Sequence, residues 1–65
     1  MNESEKIWTA SVAIGKNMDY ETLLYSDYMY GHMELIDDVW EYVTECQEDG
    51  MNSFREKYKE HKLYF

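Results

Sequence analysis

Apolar and polar positions alternate along residues 6–14. Trp8, Ala10, Val12 and Ile14 fall on one set of positions, and Thr9, Ser11 and Ala13 on the other. A period of two is that of a pleated strand. Gly15, Lys16 and Asn17 follow as turn residues and end it. Along residues 19–30 two patterns overlap. Asp19 fits a helix N-cap with Glu21 in the first turn, and Tyr20, Leu23, Leu24 and Tyr28 recur at helical spacing. The tyrosine-rich stretch 23–30 also suits a strand paired back on residues 6–14 as a hairpin.

Residues 33–48 give the clearest pattern. At ~100° per residue, Glu34, Asp37, Asp38, Glu41, Glu45, Glu48 and Asp49 fall within an arc of about 120°. Leu35, Ile36, Val39, Trp40, Tyr42, Val43 and Cys46 occupy the opposite side, so the spacing predicts an amphipathic helix. Gly50 is placed to stop it as a C′ residue. Ser53-Phe54-Arg55-Glu56 matches the S-x-x-E capping box and predicts a second helix, reaching to about Lys62. The apolar tail Leu63-Tyr64-Phe65 then docks or adds an edge strand. The fold class expected is α+β: one small domain over residues 1–65, with an N-terminal strand or hairpin, a central acidic helix and a short C-terminal helix. An isolated strand is marginal, so residues 6–14 need a partner from the second segment, the tail or another chain.

Charge changes this picture more than composition does. The chain carries 14 acidic and 6 basic residues, a formal net charge of −8. Between Asn17 and Phe54 there are ten acidic residues and no Lys or Arg. A solvated helix face ordinarily mixes the two signs, because opposite charges at i, i+4 stabilise it. Here Glu34/Asp38, Asp37/Glu41, Glu41/Glu45 and Glu45/Asp49 are like-charged pairs, together costing roughly 1–2 kcal/mol at low salt. A basic partner would relieve that repulsion, whereas direct binding to nucleic acid or an anionic membrane is disfavoured.

Tyrosine is the second unusual feature. Tyr20, Tyr25, Tyr28 and Tyr30 lie beside Met18, Met29 and Met33. Both residue types are enriched in protein interfaces, and tyrosine faces accept Arg and Lys through cation–π contact. Four tyrosines in eleven residues are too many for a core this small, so at least one or two should be exposed.

Motifs for chemistry are missing. His32-Met33-Glu34 has the H-x-E of a zinc deaminase without its P-C-x-x-C half. No H-E-x-x-H, C-x-x-C, P-loop or G-x-G-x-x-G occurs. The expectation is a protein that is not an enzyme and takes no cofactor or metal. The lone Cys46 fits a reducing cytoplasm and a packing role. No run approaches the ~20 apolar residues of a membrane span, and Glu3 and Glu5 spoil the positive n-region of a signal peptide.

In size, acidity and the carboxylate row of Glu34 to Asp49, the chain resembles the small acidic inhibitors made by phages and other mobile elements. Those include DNA mimics, anti-restriction proteins and anti-CRISPR proteins. The resemblance implies a binder that blocks a nucleic-acid-handling host enzyme, such as a CRISPR effector, a restriction enzyme or a polymerase. Its partner-binding residues would be Glu34, Asp37, Asp38, Glu41, Glu45 and Glu48, with Tyr25, Tyr28 and Tyr30. The partner would be the basic surface of a nucleic-acid-binding protein in the host cytoplasm. The alternative is a small structural or regulatory subunit that forms a homodimer or binds transcription machinery.

Overall fold

Asn2 opens the first element, and that element is a helix. The computed structural model describes residues 1–46 and 50–61. In it α1 runs Glu3–Gly15, with the Asn2 Oδ1 accepting from the Glu5 backbone N–H at 2.8 Å. Glu3 and Glu5 lie in the first turn, where the helix dipole favours negative charge. The helix closes in a Schellman arrangement: Asn17 N–H donates to Ile14 and Met18 N–H to Ala13, with Asn17 left-handed at φ +55°.

The N-terminal strand or hairpin is therefore incorrect. All elements among the described residues are helical, and the fold is all-α rather than α+β. The period of two misled because α1 is covered on several sides. Ile7, Thr9, Ala10, Ser11 and Ala13 are all buried and face different directions around the helix axis. Thr9 and Ser11 tolerate burial because their hydroxyls donate to the Glu5 and Trp8 carbonyls of the same helix.

Residues 19–30 hold two short helical elements and no strand. Asp19 caps α2 (Tyr20–Leu24) by accepting from the Thr22 N–H at 2.7 Å, and a 3₁₀ turn covers Asp27–Met29. The acidic segment begins with another 3₁₀ turn, Met33–Leu35, and becomes α3 over Ile36–Glu45. Ile36, Val39, Val43 and Cys46 point inward at i, i+3, i+7 and i+10, as the amphipathic pattern requires.

Gly50 is not simply a stop. With φ +69° it donates its N–H to the Cys46 carbonyl at 2.7 Å and is itself the first residue of α4 (Gly50–Lys57). Ser53 therefore lies inside α4, and the S-x-x-E capping box is not used. A final 3₁₀ turn covers Lys59–His61. Lys62 and the tail Leu63-Tyr64-Phe65 lie outside the described residues.

The core draws on every helix: Ile7, Ala10 and Ala13 from α1, Leu23 from α2, the four inward residues of the acidic segment, and Phe54 from α4, with Met29 from the turn. α1 packs chiefly on α3 and next on α4. Ala10 and Ala13 are fully buried and carry only a Cβ, which lets those helices approach closely. Burial of each large side chain contributes ~1.5–3 kcal/mol.

Candidate functional site

The outer face of α3 carries Asp37, Asp38, Glu41 and Glu45, all exposed, and the preceding turn adds Glu34. They face away from Ile36, Val39 and Val43, so the helix that supplies the core also presents the carboxylates. Glu48 and Asp49 lie outside the described residues.

The row is not uniformly unpaired. Lys6 of α1 places its Nζ 3.1 Å from Asp38 Oδ2. Tyr20 donates its hydroxyl to Asp37 Oδ1 at 2.9 Å. Glu45 Oε2 receives Lys57 Nζ at 3.0 Å and the Tyr58 hydroxyl, both from the C-terminal region. The cations missing from the acidic stretch thus arrive from other elements. Lys6 is 32 residues from Asp38 in sequence, and no count along a helix finds it. Glu34 and Glu41 make no ion pair or hydrogen bond through their carboxylates among the described residues.

These bonds shift the groups that make them. The Tyr58 hydroxyl, with Lys57 second, holds the Glu45 carboxyl below the usual glutamate range. Burial, then the bond to Glu45, pushes the Tyr58 phenol well upward. Burial and the 2.9 Å bond that Tyr42 donates to Glu3 push the Tyr42 phenol up to about 12. The Asp37 bond likewise raises the Tyr20 phenol.

A shallow groove of about 420 Å³ runs between α1 and α3, lined by Glu3, Lys6, Asp38, Glu41, Tyr42 and Glu45. Glu3, Lys6 and Tyr42 were not among the residues expected at the site. Glu3 and Lys6 are three apart, which puts them on one face of a helix but on opposite faces of a strand. Only a helical reading of the N-terminus could have brought them together, and Asn2-Glu3-Ser4-Glu5, an N-cap followed three residues later by Glu, was its available signal.

The six tyrosines among the described residues fall into two groups. Tyr20, Tyr42 and Tyr58 each donate to a carboxylate. Tyr25, Tyr28 and Tyr30 have no hydrogen-bond partner for their hydroxyls among the described residues. Tyr28 is half-buried, edge-on to Trp8 at 5.6 Å, whereas Tyr25 and Tyr30 are 70% and 84% exposed.

No family model, curated protein or solved structure matches the chain. Among the described residues no group of three or more His, Cys, Asp or Glu is placed to hold a metal ion, and no helix is long and apolar enough to cross a membrane.

Proposed function

We propose that this protein is a small acidic inhibitor that occupies the basic nucleic-acid-binding surface of a host enzyme such as a CRISPR effector, a restriction enzyme or a polymerase. The observation that carries the reading is the outward row of carboxylates from Glu34 to Glu45, held on a helix whose other face is core. The row spans roughly 16 Å of axis. It can stand in for a run of phosphates, with Glu34 and Glu41 offering carboxylates that no described cation engages. At the groove, Tyr58 and Lys57 favour the ionised form of Glu45, which suits contact with a cationic group of a partner. The competing picture of copies joined through a strand at residues 6–14 has no footing, since those residues form α1 and offer no strand edge.

The test is displacement of labelled duplex DNA from one enzyme of each class over a salt series. The expected result is displacement from at least one of them, weakening as salt rises. The Glu34→Gln/Glu41→Gln variant should associate more slowly and be less salt-sensitive. Failure to displace DNA from any of them, or an equal effect of the variant at low and high salt, would overturn the proposal. So would retention of the protein itself on DNA.

A further inference from the structure

Tyr25 and Tyr30, both exposed, flank in sequence the fully buried Met29. The backbone between them and just beyond is tied by successive tight turns: Met29 N–H to Ser26, Tyr30 N–H to Asp27 and His32 N–H to Met29. Two exposed phenol rings are thus carried on a short segment pinned to the core. A fixed backbone reduces the ordering entropy that a flexible loop would lose on binding. All charged residues from Asp19 to Glu45 are acidic; exposed Asp27 lies within the segment and exposed Glu34 follows it.

We infer that Tyr25 and Tyr30 form an arginine-selective anchoring surface for a basic protein partner. The inference rests on the inhibitor reading and specifies its partner chemistry. A guanidinium is planar and weakly hydrated, so it stacks flat on a phenol ring while its N–H fork reaches an adjacent carboxylate or phenol oxygen. An ammonium is a compact, strongly hydrated point charge that gives up more hydration to sit on the same ring. The carboxylates of α3 attract either cation alike; the rings discriminate between them.

Nona-arginine and nona-lysine, equal in charge, are the probes, titrated against the full chain in low salt. Wild type should bind nona-arginine roughly three- to tenfold more tightly than nona-lysine. Tyr25→Leu/Tyr30→Leu should lose that preference while keeping its far-ultraviolet circular dichroism, because both rings are exposed. Tyr25→Phe/Tyr30→Phe, which retains the rings, should keep most of it. Equal binding of the two peptides by wild type, or a preference that survives in the leucine variant, would overturn the anchor. If equal binding then falls for both peptides in Glu34→Gln/Glu41→Gln, the acidic reading stands without the anchor. Binding of neither peptide would remove both.

Discussion

Tyr58 donates its hydroxyl to Glu45, on the carboxylate oxygen that Lys57 reaches at 3.0 Å, so two donors from the C-terminal region close on one atom of α3. Phe54 buries the middle of α4, and this bond fastens its end. Tyr58→Phe keeps the ring contact with Phe54 at 4.8 Å and removes only the donor. A lowering of stability by about 1 kcal/mol is expected, read as a lower urea midpoint with an unchanged slope.

The same bond gives the molecule an acid limit. Glu45 is held below its unfolded value, so its contribution is complete above the ordinary glutamate range and disappears as pH falls through the lower folded value. The stability gap between wild type and Glu45→Gln should therefore shrink on acidification. The alkaline limit has the opposite sign. Tyr42 is raised to about 12, so its contribution is present below the usual tyrosine value of ~10 and is lost from there upward. Thermal midpoints of wild type and Tyr42→Phe across this range should converge at the alkaline end.

Carboxylates of the row should separate by their effect on folding. Asp38→Asn and Glu45→Gln each leave a lysine of another helix without its counter-charge, at 3.1 Å and 3.0 Å. Each should lower the thermal midpoint slightly, because exposed pairs contribute only ~0–1 kcal/mol. Glu34→Gln and Glu41→Gln remove like-charge repulsion and should leave the midpoint unchanged or raise it. If all four behave alike, the cross-helix pairs do not hold in solution.

Asn2 and Asn17 bracket α1, and both ends can be probed. Asn2→Ala removes the cap of Glu5 and should cost about 1 kcal/mol, although Asn2 is exposed. Asn17 is left-handed, so Asn17→Gly should raise the melting temperature and Asn17→Val lower it. A strand at residues 6–14 would respond to neither end in this way.

Sequence pattern revealed α3 because one side of that helix meets the core and the other meets water. It concealed α1, whose buried Thr9 and Ser11 are satisfied by their own helix and so resemble the outward positions of a strand. Ser53-Phe54-Arg55-Glu56 shows the converse failure: a capping pattern is also four ordinary helical residues when Gly50 has already begun the helix. The acidic row was legible from spacing alone. Its division was not, because Lys6 and Tyr20 approach it through packing that local periodicity does not encode.

Met29 and Met33 sit four residues apart with opposite fates, one fully buried and the other 43% exposed. Peroxide would convert the Met33 thioether to its sulfoxide readily in the folded protein, while Met29 would react only when the segment between Tyr25 and Tyr30 opens. The pair makes that segment a built-in chemical clock: Met33 reports the arrival of oxidant, and the lag at Met29 reports how rarely the two rings leave their mooring.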